Sequence, residues 1–568
     1  MAEVVERSQQ AQPAGPDPRP RRFLPGWLVI AVPAVLAFVT SGFDLGSPSL
    51  WRDEAYTKDA INRSLGHLFA MLNHMDAVHG AYYVIMHFFA GVFGTSAVAL
   101  RFPSLCAMAV ATAFTAAIGR RAARMAAPTA TGPWPDATGL IAGLVFATAP
   151  YMTYYAQMAR PYAFVTMCAT ITSYLLLRAI SDVSAGGRRW WIWYAVAMAF
   201  TGLFNTFGLL LLPAHALTVL IIAPGARSWL RKTAVPWLIA GVVAGVVLIP
   251  LLLISFRERE QIAWLTKPDL TTIRILVTNF AGSRLLILPV ALLALGGIAA
   301  GIVDWRASGS GAAYGASAAD SPGVAGGSGV AGGSGMAGGH VVRMSPAALA
   351  LPWLVVPPVV LLAVSLKKPV YNARYVEFCL PALALLVAAG LVGLTRLVAR
   401  MVASGGLGSL RRGAAWGPAG VVMVAMAVLL ISPQHAIRQS SARPDNLRLA
   451  SEIVAKYEQP GDVVFYTPND MHVLGTGYPA PFEKLRDIAL AKSPLQSATL
   501  TGTELTNPAE LASRFTDVHR VWFVTGATNY KFPVPGNPVD REKMTLISGM
   551  HILHRWMAGE VMLTLYGY

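Results

Sequence analysis

Long apolar runs, separated by short basic connectors, constrain this chain more than any other feature. A helix that spans a bilayer needs about 20 largely apolar residues, because the hydrocarbon core is about 30 Å thick and each residue rises about 1.5 Å. Runs of that kind occupy most of the sequence between residues 26 and 432. With 55% hydrophobic and 13% charged residues and a mean hydropathy of +0.51, the chain reads as a polytopic α-helical membrane protein, not a soluble domain. The formal net charge of +16 would suit nucleic acid in a soluble protein. Here the Lys and Arg residues lie mainly in short loops between spans, the pattern of cytoplasmic loops facing anionic lipid headgroups. Membrane lipids are therefore expected partners, and nucleic acid is not. Cys106, Cys168 and Cys379 all fall inside apolar runs, which indicates neither a disulfide framework nor a thiolate metal site.

Charge parity orders the spans. Residues 1–25 are polar, Pro-rich and basic, and read as a disordered cytoplasmic tail. The first span, 26–43, lacks a small-residue cleavage site and is an anchor, not a removed signal. Residues 44–96 then form a long external loop. Within it, 81–94 is apolar but too short to cross, so a helix at the interface is expected, anchored by Tyr82, Tyr83 and Phe88. Later spans fall near 97–119, 138–156, 161–180, 190–205, 207–223, 234–255, 285–303, 346–365, 374–398 and 413–432. This register puts the connectors carrying Arg120/Arg121/Arg124, Arg188/Arg189, Arg227/Arg231/Lys232, Arg306/Arg343 and Arg396/Arg400/Arg411/Arg412 on one side, the cytoplasmic one. A tilted crossing at 81–94 would reverse every later loop. The expectation is about eleven spans in the cytoplasmic membrane, with the N-terminus inside and the C-terminus outside.

Two segments depart from this pattern. Residues 304–345 hold a Gly/Ser-rich cytoplasmic insertion, flexible by composition and without recognisable chemistry. Residues 433–568 have a soluble pattern. Leu447–Tyr457 is an amphipathic helix, Pro460-Gly461-Asp462 a turn, and 463–466, 521–524 and 561–566 are strands. A small extracytoplasmic α/β domain is expected there, so that residues 26–432 form the membrane domain.

Candidate chemistry collects where this topology brings loops to the outer face. Trp51-Arg52-Asp53-Glu54-Ala55 places two acids just after the first span; capping of the next helix is the plain alternative for both. Asp76 and His79, in a D-x-x-H spacing, share one helix face. Together with Asp53 or Glu54 they could hold a divalent ion, although two residues make a thin ligand set and capping is again simpler. Gln157, Arg160 and Tyr162 form the turn between two spans, and Lys367, Lys368, Arg374 and Tyr375 flank another pair. Cations on the outer face run against the positive-inside bias, which recognition of a phosphate at the membrane surface would explain. For any one of them the bland reading is a snorkelling side chain at a span end. A carboxylate base beside a phosphate clamp suits glycosyl transfer from a lipid-phosphate sugar, in which fixed cations stabilise the leaving group. The chain has no phosphate loop of the G-x-x-x-x-G-K-[ST] type, so no soluble nucleotide is implied.

A family resemblance joins these pieces. Trp51-Arg52-Asp53-Glu54-Ala55, Asp76-Ala77-Val78-His79-Gly80-Ala81-Tyr82-Tyr83, Phe93-Gly94 with Leu100-Arg101-Phe102-Pro103-Ser104, Gln157-Met158-Ala159-Arg160-Pro161-Tyr162, and Arg374-Tyr375 before Pro381 form an ordered series. With the tail around Pro460-Gly461-Asp462-Val463-Val464 and Arg520-Val521-Trp522-Phe523-Val524, it resembles the GT-C glycosyltransferases. More narrowly it resembles the branch of protein O-mannosyltransferases and aminoarabinose transferases, and their actinobacterial mannosyltransferase-like members. The resemblance implies a GT-C fold, a polyprenyl-phosphate sugar donor with mannose as the expected sugar, and transfer with inversion. The acceptor would be a glycan, glycolipid or protein hydroxyl outside the membrane. Carried onto this chain, it makes Asp53 the base, with Glu54 supporting it or a metal. It gives the donor phosphate Arg160, Arg374, Tyr375 and Lys368, and leaves Asp76, His79, Tyr82, Tyr83, Gln157 and Tyr162 to bind substrate. Many relatives carry Pro-Pro where this chain has His79-Gly80, a departure that puts the role of His79 in question. No cofactor is required beyond that optional divalent ion.

Two other classes fit the topology. A glycolipid flippase would need as many spans and a phosphate-binding mouth, but such transporters carry internal repeats and charged or broken mid-membrane segments, which this sequence lacks. A non-catalytic cell-envelope scaffold would use the outer domain alone and leaves the acid pair of the first loop unexplained.

Overall fold

The structure is a computed structural model that describes residues 25–128, 132–182, 187–222, 229–262, 264–317, 343–404, 416–526 and 537–568. Among the described residues, seven helices are long and apolar enough to cross a membrane: Ala97–Ala126, Tyr162–Ser181, Leu230–Val247, Arg284–Asp304, Pro346–Lys367, Glu377–Val402 and Gly417–Ala436. Leu28–Gly42, Ala77–Phe93, Thr206–Ile221 and Leu270–Ala281 are apolar but shorter.

Helix α1 (Leu28–Gly42) packs on α5 (Ala97–Ala126) and α6 (Trp134–Thr148), and α5 also packs on α8 (Tyr162–Ser181). Between α1 and α5 the first loop supplies α2 (Arg52–Asn62), α3 (Leu65–Leu72) and α4 (Gly80–Phe93). The predicted span 138–156 is two pieces, α6 and α7 (Pro150–Ala156). A residue before proline avoids the helical region, and Ala149 sits at ψ 123°. Helix Ile287–Ser317 packs against Leu380–Ser404 at close range. A Cβ on Gly390 would lie 2.0 Å from the Leu293 carbonyl oxygen, and one on Gly297 2.2 Å from that of Leu386, so only glycine admits this crossing. The first of these helices continues to Ser317, fourteen residues into the Gly/Ser-rich segment; residues 318–342, like the tail 1–24, Arg227, Arg411 and Arg412, lie outside the described residues.

Helix α4 occupies the predicted interfacial stretch, with one correction. Phe88, Ile85 and Val92 are exposed, as a lipid-facing side requires, but Tyr82 and Tyr83 are fully buried and face the protein instead of anchoring the interface.

The C-terminal domain carries a four-stranded sheet in the order β1 (Val463–Thr467), β4 (Arg520–Gly526), β6 (Val561–Gly567), β5 (His551–Ala558), with β1 and β4 parallel and the other neighbours antiparallel. Strands β2 (Leu490–Lys492) and β3 (Thr503–Glu504) form a separate antiparallel pair. Alternation sorts the two faces. Val464, Tyr466, Trp522 and Val524 pack under helix Leu447–Tyr457, whereas Val463, Phe465, Val521 and Phe523 pack with Leu511, Val539 and Ile547. The domain sits on the first loop. Ala55 of α2 belongs to its core, the Tyr478 hydroxyl accepts from Leu50 N at 3.2 Å, and Lys58 donates to Gly477 O at 2.8 Å.

Candidate active site

Helix α2 begins at Arg52, so its positive N-terminal end receives Asp53 and Glu54 in the first turn. Adjacent residues on a helix point about 100° apart, and the two acids take different environments. Glu54 is fully buried. It accepts from Arg101 Nε at 2.8 Å, Arg101 Nη2 at 2.7 Å and Ala159 N at 2.9 Å. Arg101 spends its other donors on the carbonyls of Leu45, Pro48 and Ser49, so all five guanidinium hydrogens are used. Glu54 therefore clamps the start of α2 to α5 and to the α7–α8 turn.

Asp53 points the other way. Its Oδ2 lies 2.6 Å from Arg374 Nη1, with both side chains partly exposed. Arg374 rides on a 3-10 turn, Ala373–Tyr375, whose Asn372 side chain accepts from Arg374 N at 3.2 Å. The guanidinium is flanked by the rings of Trp264 and Tyr375, at 5.4 and 5.6 Å. Arg160, in the turn after α7, donates from Nη1 to the Asp53 carbonyl at 3.4 Å and to the Tyr83 hydroxyl at 3.0 Å, and its Nη2 meets His79 Nε2 at 3.0 Å. Asp76 in turn meets His79 Nδ1 at 2.5 Å and accepts from the Tyr83 hydroxyl. A later loop closes over this group: Ala77 N donates to Glu258 at 3.1 Å, and Asp76 N to Gln261 Oε1 at 3.3 Å.

The electrostatics follow from these contacts. Burial alone would raise the Asp76 carboxyl, but His79, Arg160 and Tyr83 outweigh it and hold it down at about 2. Burial, and then Arg160, push the His79 imidazole below its ordinary value, and Asp76 offsets this only in part. Burial lifts the Glu258 carboxyl to about 7, against the Ala77 N–H that favours its charged form; the nearby Asp76 adds to the rise.

Asp53, Asp76, His79, Tyr83, Arg160 and Arg374 thus form one cluster, Tyr375 and Tyr162 border it beside the Arg374 guanidinium, and Lys368 and Gln157 stand elsewhere. Tyr375 lies against Phe207, ring centroids 4.9 Å apart. Lys368 is exposed, its ammonium 5.9 Å from the Phe256 ring. Tyr82 and Tyr162 are buried edge-on against Phe164 and Tyr155. Gln157 Nε2 bonds the carbonyls of Ser41 and Phe43, at 2.8 and 2.9 Å, and so fixes the end of α1. Among the described residues no three His, Cys, Asp or Glu side chains gather as a metal site. Of the four named for a divalent ion, Asp76 and His79 bond each other, whereas Asp53 faces Arg374 and Glu54 faces Arg101.

Sequence reasoning gave Arg101 no role, although a signal was present. An Arg in the first turns of an apolar span is costly unless a carboxylate meets it.

Residues 80–254 match the profile of the family described as dolichyl-phosphate-mannose-protein mannosyltransferase. The structure superposes on ArnT from Cupriavidus metallidurans in two solved forms. The form bound to undecaprenyl phosphate has a TM-score of 0.50 and 15% identity, and the apo form 0.53 and 14%. In both cases 95% of this chain and 98% of that one are covered. At such identity the likeness carries the fold. No curated protein matches the chain by sequence. Residues 80–254 thus carry that family's profile, and nearly the whole chain shares the fold of these two solved structures.

Proposed function

We propose that this protein transfers a sugar, with mannose the expected one, from a polyprenyl-phosphate donor to an acceptor hydroxyl on the extracytoplasmic face of the cytoplasmic membrane. The observation that carries the proposal is Asp53, a loop carboxylate held 2.6 Å from one guanidinium, with a second on its backbone carbonyl. Asp53 is the base: it takes the acceptor proton as the acceptor oxygen bonds to the anomeric carbon. The bond from that carbon to the phosphate oxygen breaks on the opposite face, its electron pair leaves with the polyprenyl phosphate, and the configuration inverts. Arg374 and Arg160 meet the phosphate, where charge-assisted bonds to a planar guanidinium are strongest. A phosphate that draws Arg374 toward itself also frees the Asp53 carboxylate for the acceptor. The family description supports mannose and a lipid-phosphate donor, and the ArnT form bound to undecaprenyl phosphate supports the lipid.

The test uses membranes containing the protein, a radiolabelled polyprenyl-phosphate mannose and an acceptor extract. Transfer in the wild type and its loss by about a hundredfold or more in Asp53→Asn, at equal protein level, is expected for removal of a general base. Full transfer by Asp53→Asn would remove Asp53 from the chemistry. Lipid movement in vesicles without transfer would favour a flippase, and polymer binding with neither activity a scaffold.

A further inference from the structure

We propose that Asp76 is a positioning residue for Arg160, acting through His79 and Tyr83. The inference rests on the donor-phosphate role given to Arg160 above and adds what holds that guanidinium in place. Hydrogen-bond polarity carries it. Arg160 can only donate, so the His79 Nε2 that faces its Nη2 at 3.0 Å must accept. The imidazole is then neutral with its proton on Nδ1, where Asp76 takes it at 2.5 Å. The Tyr83 hydroxyl has one proton, which goes to the other Asp76 oxygen, and its lone pair accepts from Arg160 Nη1 at 3.0 Å. One carboxylate therefore orients two acceptors toward one guanidinium.

Two further observations fit a built device. Asp76 adopts a left-handed backbone, φ 61°, uncommon for a residue with a side chain, and the later loop bonds its N–H and that of Ala77. Internal partners also leave part of Arg160 unused. Both hydrogens of Nη1 go to Tyr83 and the Asp53 carbonyl, and one of Nη2 goes to His79. Nε is buried without a partner. Nε–H and the second Nη2–H remain, two donors for an oxyanion.

The experiment measures binding of polyprenyl phosphate, without sugar or acceptor, to the full-length protein in nanodiscs. A hydrogen bond to a charged group is worth about tenfold or more in affinity, so His79→Ala, Tyr83→Phe and Asp76→Ala, which displace the guanidinium, should each raise Kd about tenfold or more. His79→Gln, which supplies a neutral N–H and a carbonyl oxygen, should recover most of the loss. Tyr83→Phe keeps the packed ring and removes only the hydroxyl, so it stays informative if another variant fails to fold. A merely structural role is separated by the double mutant. If Tyr83 acts through Arg160, Tyr83→Phe has little further effect on Kd in an Arg160→Lys background. Additive losses, or wild-type Kd in Tyr83→Phe and His79→Ala, would overturn the proposal. A wild type that binds no polyprenyl phosphate would overturn the donor reading beneath it.

Discussion

Helix α2 delivers two neighbouring carboxylates to opposite settings, one closed and one open, and the consequences of mutation differ accordingly. Glu54 and Arg101 are both fully buried, and every guanidinium hydrogen is bonded. Removing one partner strands the other's charge, a loss of about 3–5 kcal/mol for a buried ion pair. Glu54→Ala and Arg101→Ala should each lower the thermal midpoint and the yield of protein extracted in detergent, whatever donor is present. A near-wild-type midpoint in Arg101→Ala would show that the clamp does not hold the fold. Asp53 was legible from sequence because acids are scarce and its position follows a span. The partners of both acids were not. Arg374 lies 321 residues from Asp53 and Arg101 47 from Glu54, and no local pattern encodes contacts closed by the packing of separate helices.

At the scale of elements, the apolar stretch 81–94 showed that a helix lies there and that it is short; which residues face the protein depended on what α4 packs against. Its tyrosines, ordinary interface anchors in isolation, are drawn inward by Phe164 and by the Asp76–Arg160 group. The loop after helix Ile249–Arg257 completes that group through Glu258 and Gln261. Glu258 gives its docking a pH dependence. Its carboxyl is raised from 4.5 to about 7, so it keeps its proton better docked than free. Docking is therefore fully supported below 4.5 and weakens as pH rises through about 7, where the carboxylate ionises beside the Asp76 carboxylate with only the Ala77 N–H to favour it. Hydrogen exchange, corrected for its intrinsic pH dependence, should show the Ala77 amide less protected at pH 8 than at pH 6. Glu258→Gln, which cannot ionise, should remove the difference; a difference that survives would place the titration in another group.

Across the whole molecule, α2 is held from two sides. The bundle grips it through Glu54–Arg101 and through Thr57, whose hydroxyl donates to Ala159 O at 2.9 Å. The C-terminal domain grips it through Asp445, which accepts from Arg52 N at 3.2 Å and pairs with Arg52 Nη2 at 3.3 Å. Arg448 adds bonds to the carbonyls of Ser47 and Gly46, at 3.2 and 2.9 Å. The strands of this domain at 463–466, 521–524 and 561–566 were legible because they are apolar and buried. Strand β5 was not, since His551–Met557 is largely exposed and shows no inward stripe. Nor was the docking, because Arg52 and Asp445 lie 393 residues apart. Asp445 is almost wholly buried at the contact, and hydrogen bonds to a buried charged group contribute about 2 kcal/mol. Asp445→Ala should shift the docking equilibrium toward the open form by about thirtyfold, at about 1.4 kcal/mol per decade. Limited proteolysis should cut the linker ahead of helix Leu447–Tyr457 correspondingly faster. Asp445→Asn keeps an acceptor for Arg52 N–H and should fall between wild type and Ala. Sugar transfer should fall in the same order, because Asp53 is the residue after Arg52 and loses its register when that end of α2 loosens. Unchanged proteolysis with reduced transfer would mean that Asp445 serves the site by another route than docking.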